Sequence, residues 1–293
     1  MLRLRSDHPP ARAAAGGNTR RLTVELGIAG WALNKEIRVA NSFTQLELPA
    51  LARNEYGVST VEFVSPFFEN QGAPHLNAVR RAIADAGVTV RNIAVDGVKL
   101  GDPDPATART DIETIKQWFH VAAAIGAAAI RVNTASIEPG DTGGLDRLVE
   151  GYAELAEHAQ CTGVKVLIEN HGGASSDPVA LEYLLSRVSS PWFATCPDNG
   201  NFSGDAWEAG MRAMIPRAFS FHVKVFGYDP TGAQEGVGGD GTVRRSNLKT
   251  CLRMLKESGY EGPVCFEYNM AETSEREGIR KGLEYTRQLL AEM

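Results

Sequence analysis

Four residues in the second half of this 293-residue chain have the types and the spacing to do chemistry together: Glu169, Asp198, His222 and Glu267. Each lies in or at the end of a short apolar run, in VKVLIENHG (164–172), WFATCPDNG (192–200), AFSFHVKVF (218–226) and GPVCFEYNM (262–270). One such ending is ambiguous, since a strand that reaches the surface also finishes in polar residues and glycines. Recurrence favours a shared site. Three carboxylates held together repel one another unless a cation neutralises them, and a divalent metal is the economical explanation. Oxygen-rich ligation with one imidazole suits Mn2+ or Mg2+, with Co2+ or Zn2+ as alternatives. A carboxylate that gives one oxygen to a metal keeps the other for proton transfer, so Glu169 and Glu267 are the candidate base and conjugate acid.

Each residue also has a plainer reading. Asp198 sits between Pro197 and Asn199-Gly200, which is turn chemistry, and His222 is flanked by Phe221 and Val223 as a core histidine would be. Lys224, two positions on, points the same way as His222 and either clamps a substrate oxygen or neutralises carboxylates. His171 shares the strand face of Glu169 and is expected to line the pocket. Arg131 and Asn133 close the fourth apolar run as candidates for binding substrate oxygens. Glu62, early in the second run, is expected to pair with a cation such as Arg131 inside the fold. Trp31, Phe67, Phe68 and Phe226 stand just past strand ends, where they either wall a substrate or pack beneath loops. His75, His120 and His158 fall on helical patterns away from the run ends and receive no chemistry. The glycine-rich loop GYDPTGAQEGVGGDGTVRR is either a lid bearing Arg244 or Arg245 or a mobile segment.

The elements that must position these residues alternate regularly. Four earlier runs, LTVELGIAG (22–30), STVEFVSPF (59–67), VTVRNIAVDG (88–97) and AAIRVNTA (128–135), complete a set of eight. Helical patterns separate them, several closing on a glycine such as Gly57, Gly87, Gly163 or Gly259. Alternating strands and helices imply a parallel sheet covered by helices. Eight units predict a single (β/α)8 barrel over residues 21–293, and a doubly wound open sheet is the alternative. No G-x-G-x-x-G follows the first run, which removes the usual reason to prefer that alternative. In a barrel, site residues collect at the C-terminal strand ends, where these four fall.

The composition, 43% apolar and 23% charged, is that of an ordinary globular protein, and the net charge of −6 argues against nucleic acid as a partner. No apolar run approaches the ~18 residues that a membrane helix needs. Cys161, Cys196, Cys251 and Cys265 form no C-x-x-C pair and read as buried free thiols, in keeping with a cytoplasmic protein. Residues 1–20 are basic and rich in Ala, Gly and Pro, without the apolar core of a secretory signal, and are expected to form a disordered leader.

IENHGG, PDNGNF, FHVKVF and GYEGPVCFE together resemble the strand ends of the xylose-isomerase-like TIM barrel superfamily, the sugar phosphate isomerase/epimerase family that also includes the endonuclease IV barrels. The resemblance spans roughly residues 22–290, and its combined order is more specific than any one piece. It implies a metal held by Glu169, Asp198, His222 and Glu267. It also implies a polyhydroxy carbonyl substrate whose proton beside the carbonyl is abstracted in isomerisation or epimerisation. A lyase or dehydratase on the same scaffold is the alternative, and some such members work with a small partner subunit; a homo-oligomer is the other arrangement considered. The endonuclease branch needs more imidazoles than this chain offers at strand ends. A non-catalytic binding barrel would have little reason to retain a metal with paired carboxylates. Many ketose epimerases of the family place a substrate-binding His three positions after the strand-six Asp. Here that position is Asn201, the remaining substrate-contact candidate.

Overall fold

The computed structural model describes residues 24–202, 204–237, 241–272 and 274–293. The leader expected at residues 1–20 lies outside the described residues. Eight parallel strands form the central sheet: β1 (Leu26–Ala29), β2 (Thr60–Val64), β3 (Thr89–Leu100), β4 (Ala129–Thr134), β5 (Lys165–Glu169), β6 (Phe193–Cys196), β7 (Phe221–Val225) and, later in the chain, β10 (Val264–Asn269). Between β7 and β10, an antiparallel hairpin of β8 (Ala233–Val237) and β9 (Val243–Asn247) occupies the glycine-rich loop.

The sheet runs β6-β5-β4-β3-β2-β1-β10-β7. Its two outer strands meet through parallel bridges at Thr195↔Ala218 and Asp198↔His222. Phe219 N donates to Thr195 O at 2.8 Å and His222 N to Pro197 O at 2.9 Å, so the barrel closes. Most of these strands are short and buried on both faces, β2, TVEFV, at every position, while the 12-residue β3 is buried through its middle and partly exposed at its ends. That is the pattern a parallel sheet requires when helices cover its outside.

Between the strands lie α1 (Asn34–Arg38), α2 (Leu48–Tyr56), α3 (Ala73–Ala86), α4 (Pro105–Ile125), α5 (Thr142–Thr162), α6 (Pro178–Arg187), α7 (Ala206–Met214), α8 (Leu248–Glu257) and α9 (Glu275–Ala291). Their ends follow local chemistry. Asp104, Asp141 and Asp177 each accept a backbone N–H in the first turn of α4, α5 and α6, satisfying donors that a helix start leaves open. Gly57 and Gly163 close α2 and α5 in the left-handed region, with φ of 63° and 72°, as predicted. Among the described residues, no helix is long and apolar enough to cross a membrane. Cys196, Cys251 and Cys265 are buried as expected, but Cys161, near the end of α5, is exposed: its face of the helix turns away from the sheet.

Candidate metal centre and cavity

Glu169 ends β5, His222 lies in β7 and Glu267 in β10, while Asp198 follows β6 by two residues. All four are buried, and one ligand atom from each lies within 4.8 Å of the others. The last turn of chain that brings Asp198 into place is held by two asparagines acting as substitute peptides. Asn170 donates from Nδ2 to Asp198 O at 2.9 Å and accepts from Asp198 N at 2.8 Å. Asn199 repeats the pattern toward β7, donating to Lys224 O at 3.0 Å and accepting from Lys224 N at 2.6 Å. Both side chains prolong sheet ladders that the backbone has already left. Gly200 is required beside them, because a Cβ there would stand 2.9 Å from Lys224 Cβ and 3.0 Å from the Phe226 ring.

His222 donates from Nε2 to Glu62 Oε2 at 2.6 Å, which leaves Nδ1 facing Glu169 Oε1 at 3.3 Å and Glu267 Oε1 at 3.7 Å. Glu62 therefore does not pair with Arg131 as expected; its other oxygen accepts from Ser220 Oγ. The reason is depth. Glu62 lies midway along β2, whereas Arg131 reaches toward the strand ends, to Asp96 and Glu169, each two residues beyond its register partner. Arg131 is only 1% exposed and pairs with Asp96 Oδ1 at 2.9 Å and Glu169 Oε2 at 3.1 Å.

Three carboxylate oxygens in this cluster accept no hydrogen bond although they are buried: Glu169 Oε2, Asp198 Oδ2 and Glu267 Oε2. Arg131 Nε lies 3.1 Å from the first and Lys224 Nζ 3.1 Å from each of the others. These approaches provide charge attraction without hydrogen-bond alignment. One open oxygen from each carboxylate, together with an imidazole nitrogen, is a donor set that fits a divalent cation such as Mn2+, Mg2+, Co2+ or Zn2+.

The protons follow the same geometry. Burial opposes ionisation of Glu169, but Arg131 and His222 outweigh it and hold the carboxyl well below its ordinary range. Glu267 is likewise lowered against its burial, by Lys224 and His222. Asp198 goes the other way: burial pushes it up to about 8, against the pull of Lys224 and with the push of Glu267 and Glu169. Of three adjacent carboxyls, one thus retains a proton so that the other two can ionise. Burial disfavours charge on His222, yet Cys196, Glu62 and Glu267 raise it well above its usual value.

Above the cluster opens a cavity of about 760 Å³ whose lining includes Glu267, Lys224, Asn201, His171 and Asn133. Lys224 Nζ stands 3.1 Å from both Asp198 Oδ2 and Glu267 Oε2 while also facing the cavity. Asn201 joins Glu169 (Nδ2 to Oε1, 3.1 Å) to Lys224 (Nζ to Oδ1, 2.7 Å). His171 lines the cavity from just beyond β5. Arg131 and Glu169 are not on the lining and lie behind it. Of the four aromatics considered, Trp31 and Phe226 line the cavity, Phe67 packs edge-on to Trp31, and Phe68 packs on Phe63 and Trp118 beneath the loops.

Asp96, at the end of the third apolar run, was legible by the strand-end rule that marked the others. It accepts from Trp31 Nε1 at 2.8 Å, Arg131 Nη1 at 2.9 Å and Asn133 Nδ2 at 2.9 Å, and lines the cavity. Asn170 and Asn199 gave no such signal, because turn asparagines look alike until their partners are known.

The glycine-rich loop is a docked hairpin. Gln234, buried in β8, accepts from Phe226 N at 2.7 Å and donates to Tyr285 Oη at 3.0 Å. Arg244 Nη1 donates to the carbonyls of Gly200 (3.3 Å) and Asn201 (3.2 Å), whereas Arg245 turns outward to Glu235. The tip at 238–240 lies outside the described residues.

A closed (β/α)8 barrel with an acid-rich cluster at its C-terminal mouth has the architecture of a TIM barrel enzyme. Residues 50–289 match the xylose isomerase-like TIM barrel family, and the chain belongs to that family. Among its relatives, the L-ribulose-5-phosphate 3-epimerase UlaE of Escherichia coli K12 is 27% identical over 207 residues, which is 68% of this chain and 70% of that protein. The IOLI protein with a bound zinc atom superposes with a TM-score of 0.73 at 14% identity, covering 92% of this chain and 98% of that one. A xylose isomerase-like TIM barrel protein from Mycobacterium smegmatis in complex with magnesium gives a TM-score of 0.66 at 14% identity, covering 92% and 97%. These two likenesses concern the fold.

Proposed function

We propose that this protein is a divalent-metal-dependent isomerase or epimerase that moves a proton beside the carbonyl of a polyhydroxy compound. The observation that carries the reading is the set of three buried carboxylate oxygens without hydrogen bonds, gathered around His222 at the closed end of the cavity. The sugar epimerase among its relatives agrees with it. A divalent ion held by Glu169, Asp198, His222 and Glu267 would polarise the carbonyl and acidify the adjacent C–H.

The chain's own residues do the rest. Glu267 and Glu169 are both held below the ordinary carboxylate range, so each is ionised at neutral pH with a lone pair open to a proton. Glu267 faces the cavity and takes the proton from carbon. Glu169 serves as its counterpart from β5, oriented by Arg131 and Asn201. Lys224, Asn201, His171 and Asn133 present polar groups to substrate oxygens, and Trp31 and Phe226 exclude water from the reacting carbon.

The test is turnover in heavy water with the Mn2+-loaded protein. Deuterium is expected at the carbon next to the carbonyl, because a carboxylate exchanges its proton with solvent. Glu267→Gln is expected to lose that exchange by about 10²–10⁴-fold while still binding metal, since an amide ligates through oxygen but does not accept the proton. Product carrying the substrate's own hydrogen intact would mean hydride migration and would leave Glu267 only a ligand. Loss of a β-substituent after the same exchange would identify a lyase.

A further inference from the structure

The cavity changes character with depth. Its closed end carries Glu267, Asn201 and Lys224, which are largely buried, whereas Val237 and Met270 on its wall are 52% and 42% exposed. Six large apolar side chains stand out as exposed among the described residues; two of them, Val237 and Met270, line this cavity, and a third, Val243, is the cross-strand partner of Val237. The wall they stand on is preformed. Gly236, next to Val237, packs so closely on Phe226 that a Cβ would meet its ring at 2.3 Å, and Gln234 pins the hairpin beneath.

Charge gives the complementary argument. The arginine and lysine on the lining are already engaged: Lys224 bridges Asp198 and Glu267, and Arg244 donates to the Gly200 and Asn201 carbonyls. Asp96 and Glu267 add acid to the same lining. A phosphate needs charge-assisted donors, and here it would have to compete for them. A cavity of about 760 Å³ is also in the range of about 300–1,000 Å³ that takes ligands of drug size, well beyond one sugar ring.

We infer that the open end of the cavity is a subsite for an apolar substituent, so that the substrate is an unphosphorylated keto sugar carrying an aryl or alkyl group. This rests on the polyhydroxy carbonyl being held at the closed end as proposed above. The substrate would then differ from the phosphorylated sugar named for the Escherichia coli relative.

The experiment compares three probes with one core, methyl and phenyl 3-keto-β-D-glucopyranoside and 3-keto-D-glucose 6-phosphate, by calorimetry on the Mn2+-loaded protein. The phenyl probe is expected to bind about 10- to 100-fold tighter than the methyl probe, and the phosphate no tighter than the methyl. In Val237→Asp and Met270→Glu, both at exposed positions where a polar group is tolerated, the phenyl-to-methyl ratio should collapse toward one. Equal affinities, tightest binding by the phosphate, or a ratio untouched by both substitutions would overturn the subsite. So would a dimer that Val237→Asp dissociates while phenyl and methyl bind alike, because the apolar rim would then be an interface. A phenyl preference without solvent exchange at carbon would leave the subsite standing and remove the proposed reaction. Exchange without the preference would do the reverse.

Discussion

The strand ends of β1–β4 and those of β5, β6, β7 and β10 surround one mouth, yet they treat charge in opposite ways. On the first side, Asp96 is saturated: Trp31, Arg131 and Asn133 all donate to it, and both oxygens are used. On the second side, Glu169, Asp198 and Glu267 each keep one buried oxygen without a hydrogen bond. A saturated carboxylate is scaffold, because its lone pairs are committed to holding neighbours in place. An open one in a buried cluster is poised for a cation or a proton. Arg131 to Glu169, and Glu62 to His222 and Ser220, cross between the sides and let the scaffold orient the reactive half.

Cutting the second contact should have the largest effect on this contrast. Glu62→Leu removes the acceptor that fixes the His222 ring, and Mn2+ affinity should fall by about 10- to 100-fold in chelator competition. Glu62→Gln should lose less, since its amide oxygen still accepts from Nε2–H. If both variants bind Mn2+ like the parent and keep their circular dichroism, Glu62 merely fills the barrel.

Asp198 provides a test by pH. In the metal-free protein its carboxyl is pushed up to about 8 by burial, above the ordinary value of about 3.9. Below that point a metal must displace the Asp198 proton in addition to the one held by His222, so Asp198 should add about tenfold per pH unit to the climb in affinity up to about pH 8 and nothing above it. The linkage to folding has the opposite sign. Between about pH 4 and 8 the folded chain retains a proton that the unfolded chain has lost, so this group's contribution to metal-free stability falls as pH rises. Asp198→Asn should remove that one-proton share of the slope and leave the share due to His222. A slope unchanged in that variant would assign the proton to another ligand.

The smallest change is expected on the saturated side. Trp31→Phe keeps the ring but removes the Nε1–H that reaches Asp96 Oδ2, and should lower stability by about 1 kcal/mol in denaturant titration. Mn2+ affinity should not move, because Asp96 keeps Arg131 and Asn133. A large loss of metal affinity would show that the two sides are coupled more tightly than their hydrogen bonds imply.

The order of strands and helices was legible in the sequence because local rules dictate it. Apolar runs of strand length and closing glycines such as Gly163 act through neighbours in the chain, and the (β/α)8 count follows. The cluster was also legible, since strand-end carboxylates at Glu169, Asp198 and Glu267 recur with His222 in a fold whose sites lie at those ends. Which groups touch was decided by tertiary structure alone. Glu62 meets His222 rather than Arg131 because depth along β2, not residue type, sets its partner. Period-2 reasoning put His171 near Glu169 and in the pocket, and although β5 ends at Glu169, His171 does line the cavity. Asn170 and Asn199 could not be told from ordinary turn residues, because their function is to replace backbone hydrogen bonds between strands about 25–30 residues apart. Sequence patterns report faces and ends of elements; distances across a closed barrel depend on register and depth, which no local pattern encodes.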